Sequence, residues 1–192
     1  MDPNDPSTLF AAMYQRRRTG FGFNGGGPGS GIYRTMDGGE SWAEMTEGLP
    51  EGDKGRIGLD VYQKNGNVIY ALVEADARSA GQGFGRSSGP SASGLFRSTD
   101  RGTTWEKMSD TNPRPMYYSQ VRIDPSNPDR IYVLGTSLMV SDDAGRTFRS
   151  DGAAEVHVDH HDLWINPEDP DHLILGSDGG VSASWDGTGH WR

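Results

Sequence analysis

The sequence predicts an all-β chain assembled from repeated units of four short antiparallel strands. Three observations carry that prediction: an eight-residue pattern recurs, a Pro-rich or Asn-rich turn recurs ahead of it, and Gly and Pro are abundant, at 28 and 11 of 192 residues. That much turn chemistry excludes a helical bundle.

The octamer reads Thr35-Met36-Asp37-Gly38-Gly39-Glu40-Ser41-Trp42, then Ser98-Thr99-Asp100-Arg101-Gly102-Thr103-Thr104-Trp105, then Ser141-Asp142-Asp143-Ala144-Gly145-Arg146-Thr147-Phe148. A hydroxyl residue opens it, Asp and Gly follow at fixed places, and a second hydroxyl residue precedes a closing aromatic. A fourth copy over 184–191 keeps Asp186 and Trp191, displaces the Gly, and puts His190 where the second hydroxyl residue stands. The closing aromatics are 63, 43 and 43 residues apart, so one unit is 43 residues long with some 20 extra in the second. Each octamer position has a physical reason. The carboxylates of Asp37, Asp100, Asp143 and Asp186 can accept hydrogen bonds from their own turns, Gly39, Gly102 and Gly145 permit positive φ, and Trp42, Trp105, Phe148 and Trp191 are expected to bury between sheets.

The second landmark is Asp2-Pro3-Asn4-Asp5-Pro6, Asp124-Pro125-Ser126-Asn127-Pro128-Asp129 and Asn166-Pro167-Glu168-Asp169-Pro170-Asp171, with 62–67 as a weaker equivalent. Short β-rich runs flank it, such as 120–123 and 130–134. In order, a unit is therefore strand A, the turn, strand B, a variable loop, strand C, the octamer, and strand D opened by its aromatic. Four short strands in a repeat of about 40–50 residues is the arithmetic of a β-propeller blade. Residues 1–49 supply strands B to D of a partial first blade, with 14–30 read as loop. Residues 50–110 supply a second with a loop insertion at 75–94, 111–153 a third, and 154–192 a fourth with strand D truncated. About three and a half to four blades of an incomplete ring are expected, and open edges at both ends point to remaining blades of a larger propeller; a closed four-bladed ring and a self-associating half-ring are the less favoured alternatives.

Composition sets the outer limits. Leu, Ile, Val and Phe number 32, about 17% of the chain, and the net charge is −9; by themselves those values fall where disorder is usual, and only the repeat overrides them. The absence of Cys excludes disulfides, thiolate metal sites and cysteine nucleophiles. No apolar run is long enough for a membrane span, no signal peptide opens the chain, and the acidic balance argues against a nucleic-acid partner.

Strand alternation places the B–C and D–A loops at one end of every blade, which is where ligand contacts are expected. The candidates are Arg16, Arg17, Arg18, Phe21 and Phe23 in the first B–C loop, Phe84 in the second, and Arg114, Tyr117 and Tyr118 in a D–A loop. A solvated, charged loop is the plainer reading of the Arg run, and a solvated Gly/Ser-rich insertion that of the second loop.

Three of the five His residues fall within 157–161. Period-two alternation would put His157, Asp159 and His161 on one strand face, and closing the next hairpin at 166–171 would set Leu163 opposite Leu175, His161 opposite Ser177 and Asp159 near Gly179, with Asp178 joining the group. His157, Asp159, His161 and Asp178 are thus a candidate set for a divalent metal ion; the alternatives are a hydrogen-bonded network without metal, and catalysis by Asp159, Asp162 or Asp178.

The octamer resembles the Asp-box, or bacterial neuraminidase repeat, of sialidases, xyloglucanases and sortilin-type propellers. The segments 55–60, 112–120, 157–164 and 175–181 resemble large exported bacterial proteins labelled sortilin-like or "glycosyl hydrolase, BNR repeat". This resemblance implies a propeller with structural Asp-boxes in a parent protein that is secreted or periplasmic. One expected function is an interaction module that binds a protein, peptide or glycan ligand at its loop end. The alternative is part of a glycoside hydrolase acting on polysaccharide, which needs two carboxylates across a sugar cleft. A sialidase is disfavoured, since the Arg-Ile-Pro motif that the resemblance would bring is missing.

Overall fold

A computed structural model describes residues 1–75 and 91–192 of the chain. The described residues form β-sheet and turns with no helix. Blade one contains β1 (Leu9–Met13), β4 (Gly31–Thr35) and β5 (Ala43–Met45); β2 (Arg17–Thr19) and β3 (Gly22–Asn24) form a separate hairpin within its B–C connection. Blade two is the full four-stranded sheet β6 (Ile57–Val61), β7 (Ile69–Val73), β8 (Gly94–Ser98) and β9 (Glu106–Ser109). Blade three contains β10 (Gln120–Ile123), β11 (Ile131–Leu134) and β12 (Leu138–Ser141), with strand D reduced to the bridge between Val140 and Arg149. Blade four contains β13 (His160–Ile165), β14 (Leu173–Ser177) and β15 (Gly180–Ser184), and its D edge is the pair of main-chain bonds between Ala183 and Arg192. Pairing within every blade is antiparallel. The segment 14–30, expected to be loop throughout, carries the β2–β3 hairpin; Arg17 pairs with Asn24 and Thr19 with Gly22.

The repeat is carried by the backbone as well as by the side chains. In the A–B turns Asp2, Tyr62, Asp124 and Asn166 each donate their N–H to the carbonyl six residues on, at Thr8, Val68, Arg130 and His172. The octamers then reach those turns through a second recurring bond. The N–H groups of Gly38, Arg101, Ala144 and Gly187 donate to the carbonyls of Ser7, Asn67, Asp129 and Asp171. All four of these donors have φ between 61° and 77°. The A–B and C–D turns of each blade are thereby clasped at one end.

Inside the octamers the carboxylates do what their turns require. Asp100 accepts from Thr104 N (2.8 Å), Thr104 Oγ1 (2.7 Å) and Ser98 Oγ (2.8 Å). Asp37 and Asp143 repeat the arrangement with Ser41 and Thr147. In the fourth copy His190 takes over, its N–H 2.9 Å and its ring Nδ1 2.7 Å from Asp186. Hydrogen bonding holds these acids low: Ser41 pulls the Asp37 carboxyl well below its ordinary value, Thr147 pulls Asp143 down to about 2, and His190 pulls Asp186 down to about 2.

Three apolar cores lie between consecutive blades. Ile32 and Met45 of blade one meet Ile57, Ile69, Ala71 and Trp105 of blade two. Tyr70, Leu72 and Leu95 of blade two meet Val121, Ile131 and Val133 of blade three. Tyr132, Leu138 and Val140 of blade three meet Leu163, Leu175 and Trp191 of blade four. Each fully buried aliphatic side chain contributes about 1.5–3 kcal/mol, so the blade junctions supply the main stabilisation. The octamer aromatic packs against the preceding blade, which leaves Trp105 5% and Trp191 8% exposed and Phe148 partly buried. Trp42 departs from the expected burial and is 44% exposed. Its blade is the first, and among the described residues no preceding sheet stands against it.

Candidate functional site

With one end of each blade taken up by clasped turns, the other end carries the B–C and D–A connections. There a cleft of about 500 Å3 opens, lined by Tyr14 and Arg16 from the first B–C connection, Arg56 just before β6, Met116, Tyr117, Tyr118 and Gln120 of the loop into β10, and His161 of β13. Parts of all four blades contribute, because the inner strands β6, β10 and β13 lie side by side with β1 against β6.

Local chemistry orders this wall. The Tyr117 and Tyr118 rings meet edge to face, with centroids 4.9 Å apart, and His161 packs 6.1 Å and 5.8 Å from them. The Arg114 guanidinium lies over Tyr117 at 4.7 Å and over Tyr118 at 5.9 Å, a cation–π arrangement. Arg56 donates from Nη1 to the Tyr117 carbonyl, and Glu74 accepts from the Arg56 main-chain N–H at 3.0 Å. Tyr118 is almost fully buried and donates its hydroxyl to Asp159; burial, and then this carboxylate, push the phenol pKa up. The Tyr14 hydroxyl is buried with no hydrogen-bond partner, and burial together with the Glu74 charge raises its pKa. Among the described non-Gly residues, five have positive φ. Two sit in octamers, and the other three, Arg114 (51°), Ser119 (45°) and Asp159 (68°), sit at this end of the blades. Left-handed backbone costs roughly 1–2 kcal/mol per residue, so strain is concentrated beside the cleft.

The His/Asp group is arranged differently from its expected alternation. Leu163 does pair with Leu175, but it is His160, not His161, that pairs with Ser177, because a β-bulge falls between His160 and Asp162. The bulge has a local cause and a tertiary one: Asp159 adopts a left-handed conformation, and the His160 N–H is drawn to the Gly135 carbonyl of blade three at 2.9 Å. His160 is consequently buried, and burial lowers its pKa, while His161 is turned outward to the cleft. His161 Nε2 lies 2.8 Å from Asp178 Oδ1, Asp159 holds Tyr118, and His157 Nδ1 contacts the Val158 carbonyl. Of the set His157, Asp159, His161 and Asp178, only His161 and Asp178 meet, and the other two are engaged elsewhere. Among the described residues no three His, Cys, Asp or Glu side chains form a group able to hold a metal ion. Asp162 is paired with Arg122 at 2.5 Å, away from the cleft lining.

Of the ligand-contact candidates, Arg16, Tyr117 and Tyr118 line the cleft and Arg114 backs it. Phe23 is partly buried under the Arg16 guanidinium at 5.5 Å. Arg17, Arg18 and Phe21 are exposed on the hairpin and do not line the cleft. Phe84 lies outside the described residues. Sequence reasoning missed Tyr14, Arg56, Met116 and Gln120, and it singled out His161 for a metal set rather than for this wall. The signal for Arg56 and Gln120 was their position where strand A begins, at the loop end of adjacent inner strands.

The BNR/Asp-box repeat family model matches residues 96–107, the second octamer with the adjoining ends of β8 and β9. No curated protein sequence matches the chain. Among solved structures the chain is similar to the GH74 xyloglucanase from Xanthomonas campestris, with TM-score 0.63 and 22% identity over all of this chain and 29% of that one. It is similar to the GH74 enzyme of Niastella koreensis, with TM-score 0.60 and 16% identity over all of this chain and 28% of that one. A third likeness is YCF48 bound to D1 peptide, with TM-score 0.54 and 14% identity over 97% of this chain and 57% of that one. At these identities the likeness is one of fold, and the chain spans less than a third of the length of the GH74 enzymes it matches.

Proposed function

We propose that this β-propeller of BNR/Asp-box repeats is an exported interaction module whose loop end binds a protein or glycan ligand. The observation that supports it most is the cleft, where three tyrosines, two arginines and a histidine from separate connections converge on about 500 Å3. Tyrosine rings offer flat apolar faces with a hydroxyl at the rim, and guanidinium forks offer directional donors, a combination suited to sugar rings or to a peptide. The structural neighbours span both classes, a xyloglucanase on one side and a protein bound to a peptide on the other. Export rests on the resemblance of four segments to large exported bacterial proteins.

The hydrolase reading has less support. Asp159, Asp162 and Asp178 are each engaged, by Tyr118, Arg122 and His161, and none of the three lines the cleft. The test is calorimetric titration with xyloglucan and β-glucan oligosaccharides and with a panel of unstructured peptides, on the wild type and Tyr117→Ala. Binding of one class, weakened at least about tenfold by Tyr117→Ala with melting temperature unchanged, supports the reading. Failure of both classes to bind, or indifference to Tyr117→Ala, overturns it, and sugar release in the same incubations establishes the hydrolase instead.

A further inference from the structure

The chain carries a net charge of −9, yet five arginines at its loop end have no carboxylate partner. Elsewhere Arg97, Arg101, Arg122, Arg130 and Arg149 each hold an Asp at 2.5–3.3 Å, and Arg34 and Arg146 donate to octamer oxygens. Arg16, Arg17, Arg18, Arg56 and Arg114 form no ion pair among the described residues. Their contacts leave the charge in place. Arg16 lies over the Phe23 ring, Arg114 over the two tyrosines, and Arg56 spends one of its five donors on the Tyr117 carbonyl. The nearby carboxylates are committed to protein groups: Asp159 to the Tyr118 hydroxyl, Asp178 to His161, and Glu74 to the Arg56 main-chain N–H. None of the three lines the cleft.

A guanidinium is a planar fork that matches the paired oxygens of a carboxylate, and a cluster of such charges on an otherwise acidic chain draws an anion to that end. The cleft adds shape to the charge. Its lining comes from loops and strand starts, with Met116 and Tyr117 half-exposed. It therefore offers apolar and ring surface to the C–H face of a sugar rather than a strand edge for the main-chain pairing that holds an extended peptide. A volume of about 500 Å3 suits a compact ligand. We propose that the cleft takes an acidic oligosaccharide, its uronate carboxylate held by Arg16 and Arg56 and its ring against Tyr117. This assignment rests on the cleft being a ligand site and narrows the ligand to a carboxylate-bearing glycan. Arg17 and Arg18, exposed on β2, and Arg114 beside the tyrosines supply charge to further carboxylates along the same saccharide.

Calorimetric titration tests this with four probes: trimers of galacturonate and of mannuronate, the methyl esters of both, a xyloglucan oligosaccharide, and a hexapeptide of glutamate. The ester keeps the sugar and removes the charge. One of the free acids is expected to bind at least about tenfold more tightly than its ester and than the xyloglucan oligosaccharide, and more tightly than the glutamate peptide. Its affinity falls as NaCl is raised, since exposed charges are screened. Arg16→Gln should weaken the acid at least about tenfold and leave the ester unchanged, with circular dichroism unaltered. Lys64→Gln removes the same charge from an exposed turn at the clasped end and should change neither. Equal affinity for acid and ester, or equal losses in Arg16→Gln and Lys64→Gln, overturns the uronate assignment and leaves the cleft a ligand site. Tighter binding of the glutamate peptide than of either uronate also overturns it and gives the anion to a protein partner. A chain that binds none of these probes, nor the neutral glycans and peptides of the preceding test, loses both readings. Should Arg16→Gln misfold, the comparison of acid with ester on the wild type decides alone.

Discussion

His190 Nδ1 sits 2.7 Å from Asp186 Oδ2, the place that the Ser41, Thr104 and Thr147 hydroxyls take on Asp37, Asp100 and Asp143. An ionisable ring has replaced a hydroxyl, so the fourth octamer has become pH-dependent where the others are not over the same range. Hydrogen bonding and the charge of Asp186 raise the His190 pKa. A raised folded-state value means that its stabilisation is fully present below about pH 6.5 and is lost as pH rises through the folded-state pKa. The expected outcome is a small fall in the stability of blade four from pH 6 to pH 9 that His190→Thr flattens, followed by Trp191 fluorescence during thermal melting.

At acid pH the octamer carboxylates add a sensitivity of the opposite sign. Asp37, Asp143 and Asp186 have folded-state values below the ordinary one, so their contribution is present above about pH 4 and is lost as pH falls toward 2. The melting temperature of the wild type is expected to fall across that interval. Replacing all three by Asn should lower it at neutral pH and make the fall shallower, which differential scanning calorimetry measures.

His160 adds a separate sensitivity in between. Its ring is 1% exposed with Nδ1 unpartnered, and burial depresses its pKa. The unfolded chain takes up a proton near pH 6.5 and the native chain resists it, so stability declines as pH falls below that value. His160→Phe should leave stability flatter between pH 7 and pH 5 in urea titrations.

Burial separates the octamer tryptophans. Truncating Trp105, 5% exposed in the junction of blades one and two, should cost about 3–5 kcal/mol. Trp42→Ala, at 44% exposure, should cost less than about 1 kcal/mol. Urea denaturation of the two variants compares them.

Much of the repeat was legible because it is written in residues that have few alternatives: Asp with paired hydroxyls, Gly where φ is positive, Pro and Asn in the turns. Strands β10 and β11 and the pairing of Leu163 with Leu175 followed from those landmarks. The bulge before Asp162 was illegible, since it depends on the Gly135 carbonyl in another blade claiming the His160 N–H. Trp42 has the same octamer context as Trp105, and only the missing neighbour distinguishes them. The cleft was half legible: Arg16, Tyr117 and Tyr118 stood out by composition, whereas Tyr14, Arg56 and Gln120 are unremarkable until adjacent inner strands bring them together.

The main-chain clasp from Gly38, Arg101, Ala144 and Gly187 to the A–B turns has an evolutionary consequence. A bond between a backbone N–H and a backbone carbonyl asks nothing of the side chain at the acceptor end and only tolerance of positive φ at the donor, so the A–B turns can differ in sequence while the blade keeps its shape. Blade two shows how far this goes: its A–B turn, 62–67, has no proline, yet Arg101 still finds Asn67. A blade closed by its own backbone is a portable unit of descent. Duplication or loss of a unit of about 43 residues then adds or removes a self-closed sheet, and what it must match is the apolar face of the blades on either side.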